Sequence, residues 1–525
     1  MYHSHRNPVY AKHGMIATSE PQAAHVGLEI LKKGGNAVDA AIAVAASLTI
    51  LEPTSNGIGG DNFALIYLNS QLYGLNSSGF CPKALNLDQL KGQEIPKYGV
   101  IPITVPGAVK GWITMHKRFG KLPFVDVMKP AIDYARYGFV VSETVAKYWN
   151  IAKKIYDMNF NGSMFQPWYD TFTKDGKTPS AGEIWTLPDH ANTLEKIAIT
   201  YGDSFYHGEL AQRIDDYMKR YEGFLSKEDL AMFESMWVEP IKTSYRGVDV
   251  YEIPPNGQGL VALEALNILE NFKFTKKEVS STYHKQFEAI KLAFADGQRY
   301  ISDPMHMEFD YHLLLSKKYA KKRSKLIQKE ALLQVSGQPQ TSGTVYLCTA
   351  DENGNMVSMI QSNYMGFGSG IVIPQTGIAL HNRGHNFSTD LLSPNLLAPL
   401  KKPYHTIIPG FMIKKGEFLG PFGVMGGFMQ PQGHMQVIMN LIDFNLNPQQ
   451  ALDAPRWQWM EGLKFTVEPD FNTRIIKSLI KMGHDIKIDP NLGSFGRGQI
   501  IIKDLRKNSY VGGTEKRCDG TIASY

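Results

Sequence analysis

The sequence predicts an α+β protein, helix-rich before residue 344 and strand-rich after it, and three observations carry that prediction. Helix-start chemistry recurs in the first part, at Ser19-Glu20-Pro21-Gln22, at Asn36 and at Ser226-Lys227-Glu228-Asp229. From Thr344 onward, Val345, Leu347 and Thr349 alternate with Tyr346 and Cys348, and Asn353-Gly354 gives a tight-turn signal before Met356. The segments that follow are strand-like with glycines at their corners, interrupted by one helix over roughly residues 433–444.

Taken in order, the first helix has Ser19 as its cap, Pro21 in its first turn and Gln22 at the capping-box position, and Gly34-Gly35 ends it. The second, from Asn36, is small and apolar nearly all round, which suits the inside of a core. Residues 52–62 then form a glycine-rich loop before the strand-like Phe63-Ala64-Leu65-Ile66-Tyr67. Phosphate-binding loops need a strand before the glycines and a helix after them, the reverse of this order, so nucleotide binding is not expected. Another helix begins near Val105-Pro106-Gly107, and the chain to about Lys322 reads as helices with short strands, His284 to Tyr300 being amphipathic.

A chain of 525 residues, 43% hydrophobic and 20% charged, has a large core, which excludes disordered and fibrous classes. Its formal charge of +5 is small, and the one dense basic block, Lys317 to Arg323, reads as a solvated helix face, so nucleic acid is not an expected partner. Neither an apolar leader nor a run of about 18 apolar residues occurs, and no membrane partner is expected. Cys81, Cys348 and Cys518 stand alone without metal-ligand or disulfide spacing, which fits a reducing cytoplasm.

Thr344 stands where a run of small and polar residues, 336–343, meets a core strand. On this stretch alone two readings are open. Thr is a good strand residue and loops must end somewhere; alternatively, the chain cuts itself between Gly343 and Thr344. A freed threonine carries its own base, because an α-amine with a pKa of about 7.7 to 8.0 takes the hydroxyl proton near neutral pH.

Several motifs in fixed order favour the second reading. Leu31-Lys32-Lys33-Gly34-Gly35-Asn36-Ala37-Val38-Asp39-Ala40-Ala41, Gly57-Ile58-Gly59-Gly60, Thr104-Val105-Pro106-Gly107, Ala295-Asp296-Gly297-Gln298-Arg299-Tyr300, the Thr344 strand and Gly426-Gly427 together resemble the γ-glutamyltransferase family of glutathione hydrolases. The resemblance implies a four-layer αββα sandwich of the N-terminal-nucleophile hydrolase type, with a large subunit, 1–343, and a small one, 344–525, intertwined in one unit. It implies Thr344 as nucleophile, Ser362 as a hydroxyl bonding the nucleophile's amine, and Gly426 and Gly427 as the oxyanion hole. Adjacent glycines let backbone N–H groups approach an oxyanion closely, and one such donor is worth roughly 3 to 4 kcal/mol of barrier. The implied substrate is a γ-glutamyl amide such as glutathione, with water or an amine as acceptor, and neither metal nor organic cofactor is called for.

Three departures fall on the substrate's amino-acid end. Asn76 to Lys83 contains no arginine where the family clamps an α-carboxylate, His385-Asn386 replaces two acids, and His405-Thr406 replaces a serine pair. Arg383 is the candidate replacement for the carboxylate clamp, its alternative partners being a local carboxylate or carbonyl. His385, Asn386, His405 and Thr406 are candidate substrate contacts, against ordinary structural hydrogen bonds for the histidines. The pattern resembles the cephalosporin-acylase-like branch, which opens a different acyl amide, of glutaryl type, as the alternative substrate; an unprocessed ligand-binding relative is the other alternative. The short chain from Phe387 to Pro403 predicts an open cleft with no lid.

Overall fold

Residues 6–307, 309–333 and 343–525 are described by a computed structural model. The loop expected over 336–342 lies outside the described residues. Before the Thr344 junction run β1 (Val9–Ala11), β2 (Met15–Thr18), β3 (Asp61–Leu68), β4 (Gln71–Ser77), β5 (Met236–Val238), β6 (Ile241–Tyr245) and β7 (Val248–Glu252). After it run β8 (Val345–Ala350), β9 (Met356–Ser362), β10 (Gly410–Lys414), β11 (Phe418–Met425), β12 (Arg497–Asp504), β13 (Ser509–Thr514) and β14 (Thr521–Ser524). They pair antiparallel into two seven-stranded sheets, in the orders β1-β13-β12-β11-β10-β7-β6 and β14-β2-β8-β9-β3-β4-β5. Both sheets mix strands from the two sides of the junction.

Each face of the second sheet is buried, and the strand periodicity shows why. Val345 and Leu347 enter a core shared with α1 (Pro21–Lys32) and α2 (Ala37–Leu51), whereas Tyr346, Cys348 and Ala350 enter the core between the sheets with Phe411, Leu419 and Ile501. The first sheet is covered on its outer side by α4 (Gly259–Leu269), α5 (Ser280–Tyr300) and α6 (Met429–Ile442), while α3 (Ala108–Phe119) packs on β3 and β4. The result is a four-layer αββα sandwich. α2 is buried along its whole length, as its all-round small composition predicts, and Asn36 and Asp39 close a capping box at its start.

Two boundaries differ from expectation. The cap of α1 is Glu20, because Ser19 gives its hydroxyl to Glu52 at 2.5 Å instead of to the helix. α6 begins at Met429, four residues earlier than the pattern suggests, since Pro431 falls in its first turn, where a missing N–H costs nothing. No described helix is long and apolar enough to cross a membrane.

Candidate active site

β8 and β9 pair with Val345 opposite Gln361, so one further step of the register sets Thr344 opposite Ser362. Thr344 Oγ1 lies 3.0 Å from Ser362 Oγ and 2.7 Å from the Gly343 carbonyl oxygen, and Ser362 Oγ lies 2.8 Å from that same carbonyl. The N–H of Tyr364 donates to Ser362 Oγ at 2.8 Å. Each hydroxyl has one proton, and of the arrangements these three distances allow, the one that serves attack has Thr344 donating to Ser362 and Ser362 donating to the Gly343 carbonyl. In the intact chain Ser362 thus addresses the Thr344 hydroxyl and the bond ahead of it.

Arg383 opens a short helical turn, Arg383–Asn386, and is fully buried. Its Nη1 donates to Thr406 Oγ1 at 2.8 Å, and its guanidinium carbon sits 4.2 Å from the centre of the Tyr364 ring. Nε and Nη2 have no hydrogen-bond partner among the described residues. Burial lowers the guanidinium pKa to about 10, with Asp61 and Tyr364 opposing, so the group stays charged at neutral pH. The Tyr364 hydroxyl, held neutral by burial with its pKa at about 12, donates to Asn386 Oδ1 at 3.0 Å, and Asn386 Nδ2 donates to the Tyr404 carbonyl at 2.5 Å.

Asp61, at the head of β3, is the electrostatic centre behind this wall. Its Oδ1 accepts the N–H groups of Gly79 at 3.2 Å and Gly107 at 3.3 Å, and its Oδ2 accepts His405 Nε2–H at 3.0 Å. Neither glycine has room for a side chain: an added Cβ would lie 1.7 Å from the Val105 carbonyl oxygen at Gly79 and 2.0 Å from that of Ser77 at Gly107. Burial opposes the Asp61 charge, but His381, His405 and Arg383 outweigh it and hold the carboxyl at about 2. Burial and the Arg383 charge hold His405 neutral, its pKa at about 3. The other ring nitrogen of His405 accepts the Ile407 N–H at 3.4 Å, so both of its nitrogens are spent inside the protein.

Thr406 and Gly427 are joined by a residue that the sequence does not single out. Gln258 donates its amide to the carbonyls of Thr406 at 2.6 Å and Gly427 at 2.9 Å. Gly426 and Gly427, with φ of 132° and 60°, follow β11, the strand that packs against β8. Among the described residues neither of their N–H groups meets a backbone acceptor.

His385 is tied elsewhere: its Nδ1 meets the Ile95 carbonyl at 2.7 Å. With Asn382 donating to the Lys97 carbonyl at 2.9 Å and Gly384 to that of Pro102 at 2.8 Å, this lays residues 95–102 over the turn. Among the described residues of the intact chain, the open cleft expected from the short 387–403 chain is not seen. Thr344, Ser362, Arg383 and Thr406 have no exposed surface, and Gly343 is half-buried, a Cβ added to it lying 3.0 to 3.2 Å from Thr54, Ser55 and Gly366. Tyr364, Asp61, Gln258 and Lys402 enter the site without having been predicted. Lys402 is buried and donates to the Ser78 carbonyl, and burial lowers its pKa to about 8. A charged lysine in a loop has no local signature of such a role.

A threonine hydroxyl set against the carbonyl before it, at the head of a strand inside an αββα sandwich, defines the class of N-terminal-nucleophile hydrolases. The model of the gamma-glutamyltranspeptidase family matches residues 23–525, and this chain belongs to that family. It is 36% identical to the glutathione hydrolase-like YwrD proenzyme of Bacillus subtilis, over 96% of this chain and 97% of that protein. It is 31% identical to the acylase ACY 1 proenzyme of a Pseudomonas species, over 98% of this chain and 94% of that one. The crystal structure of cephalosporin acylase from Bacillus halodurans superposes with a TM-score of 0.97 at 55% identity, covering 100% of this chain and 98% of that one. The chain is an enzyme of this hydrolase and acyl-transfer family.

Proposed function

We propose that this chain is a proenzyme that cuts itself between Gly343 and Thr344, and that the freed Thr344 hydrolyses or transfers the acyl group of a small amide bearing a carboxylate. The triangle of Thr344 Oγ1, Ser362 Oγ and the Gly343 carbonyl, with sides of 2.7 to 3.0 Å, carries the first half. Thr344 Oγ1 attacks the Gly343 carbonyl carbon, its proton passing to Ser362 while the Ser362 proton goes to the developing oxyanion. Collapse breaks the C–N bond, the nitrogen takes a proton, and water hydrolyses the resulting ester to a Gly343 carboxylate and a free Thr344 amine. Residues 1–343 and 344–525 become the two subunits.

In turnover the Thr344 amine takes the hydroxyl proton as the oxygen attacks the substrate amide, and the N–H groups of Gly426 and Gly427 receive the oxyanion. The leaving amine departs with a proton, and water or an acceptor amine resolves the acyl-enzyme. Arg383 orients the acyl group: Nε and Nη2 form one edge of a charged fork, the geometry that takes a carboxylate with two parallel bonds. A γ-glutamyl group offers that carboxylate together with an ammonium. The ammonium finds its neighbours taken, since Asp61 already accepts three donors and Asn386 Oδ1 accepts Tyr364. A glutaryl group, which lacks the ammonium, therefore suits the site better than the γ-glutamyl group of glutathione. The free thiols Cys81, Cys348 and Cys518 support a reducing compartment such as the cytoplasm as its place of action.

Turnover of glutaryl and γ-glutamyl anilides by the processed enzyme tests the substrate reading. Glutaryl anilide is expected to be cleaved at least as fast, and Arg383→Ala to lose about 10-fold or more on both, the loss of a charge-assisted contact. An Arg383→Ala enzyme as fast as wild type on both would sink the assignment while leaving Thr344 as nucleophile.

A further inference from the structure

Tyr364 touches both ends of the site, and its backbone is unusual. Its φ is +73°, in the left-handed region that a bulky side chain rarely occupies, so the surroundings must hold it there. The backbone N–H reaches Ser362 Oγ at 2.8 Å, so this turn fixes the hydroxyl that faces Thr344. The side chain runs the other way, buried to 2% exposure, with its ring face under the Arg383 guanidinium at 4.2 Å and its hydroxyl on Asn386 at 3.0 Å. One face of the guanidinium is therefore covered by an aromatic ring, one edge is held by Thr406, and the Nε and Nη2 edge is left for a ligand.

Resting on the reading of Arg383 as the carboxylate anchor, we propose that Tyr364 is the positioning residue that fixes this anchor relative to the nucleophile and so selects for a carboxylate at a set distance from the scissile amide. The left-handed turn fixes the Cα from which both the Ser362 contact and the ring depart, and burial holds the ring in its rotamer. An arginine on a long flexible stem, without the ring beneath it, would present its fork in several orientations and accept acyl chains of several lengths.

Two substitutions separate the parts. Tyr364→Phe keeps the ring and removes only the hydroxyl; Tyr364→Gly removes the ring but suits a positive φ, so the backbone contact to Ser362 survives. The readout is the ratio of kcat/KM for glutaryl anilide to that for pentanoyl anilide, which has the same length and no carboxylate, together with the profile over succinyl, glutaryl and adipyl anilides. Wild type is expected to favour glutaryl over pentanoyl by about 10-fold or more, a charge-assisted pair's worth. Tyr364→Phe is expected to stay within about 3-fold of that ratio, and Tyr364→Gly to flatten both the ratio and the length profile through KM. Should Arg383→Met keep the wild-type ratio, the anchor reading falls and this proposal with it. Should Arg383→Met abolish the ratio while Tyr364→Gly preserves ratio and profile, the positioning role of Tyr364 alone is overturned.

Discussion

Ser362 shows how much rests on one hydroxyl. It accepts the Tyr364 N–H, which leaves its proton for the Gly343 carbonyl and a lone pair for Thr344. Ser362→Ala removes the oxyanion's donor and the proton's first acceptor together, and is expected to slow self-cleavage by about 100- to 1,000-fold. Intact mass spectrometry against time gives the rate. Ser362→Thr should restore it, Thr344→Ala should stay one chain, and an alanine variant that matures at the wild-type rate would remove Ser362 from the mechanism. His385 marks the opposite case at this scale. Its neighbours in sequence are site residues, yet its ring bonds a carbonyl 290 positions away, and no local pattern signals a partner that distant.

Among the elements, the loop after α2 is held by a buried ion pair. Glu52, the C-cap of α2, receives Arg497 Nη1 at 2.7 Å, Ser55 Oγ at 3.1 Å and Ser19 Oγ at 2.5 Å, and so joins this loop to the start of β12. Glu52→Gln leaves the Arg497 charge buried without its countercharge and is expected to cost about 3 to 5 kcal/mol, read from the denaturant midpoint of the Thr344→Ala chain. Lys129→Ala, which breaks an exposed pair with Asp133, serves as the comparison and should change the midpoint little. A midpoint for Glu52→Gln equal to that of Lys129→Ala would show the pair to be dispensable. The elements themselves were largely legible, because the period of Val345 to Ala350 and the cap at Asn36 are local facts. The ion pair was not: residues 52–62 announce a loop through their glycines, but Glu52 meets Arg497 across 445 positions. Ser19 reads as a cap for the same reason, its true partner Glu52 being invisible to a rule that looks three residues ahead.

For the whole molecule, burial of neutral histidines sets the response to acid. Burial lowers the pKa of His190 to about 4 and those of His405 and His484 to about 3, the last assisted by Lys291 and by His284, whose Nδ1 lies 2.8 Å away. An unfolded histidine takes a proton below about 6.5, which these folded ones refuse, so each removes about 1.4 kcal/mol of stability per pH unit as pH falls from there towards 4. Glu20 works in the opposite sense between about 7 and its ordinary 4.5, because burial raises its pKa to about 7 and the folded state binds that proton first. Burial also lowers the pKa values of His381 and His385 and raises those of Glu252, Glu264 and Asp443, so five histidines stand against four carboxyls, and the melting temperature of the Thr344→Ala chain is expected to be lower at pH 5 than at pH 7.5. Equal melting temperatures would contradict the neutral-histidine assignment. The four layers follow from the resemblance in sequence, but which strand neighbours which does not, since β2 lies beside β8 across more than 300 residues.

That interleaving gives the molecule a direction in time. Each sheet is woven from strands on both sides of Thr344, with β8 and β9 seated between β2 and β3. While the chain is continuous, every such pairing is an intramolecular search at the high effective concentration that a tether supplies. A cut after folding disturbs no pairing, yet it makes any later refolding a meeting of two separate molecules, each holding half of two sheets and exposing unpaired edges until it finds the other. Scission thus converts a reversible object into one that endures by the slowness of its unfolding.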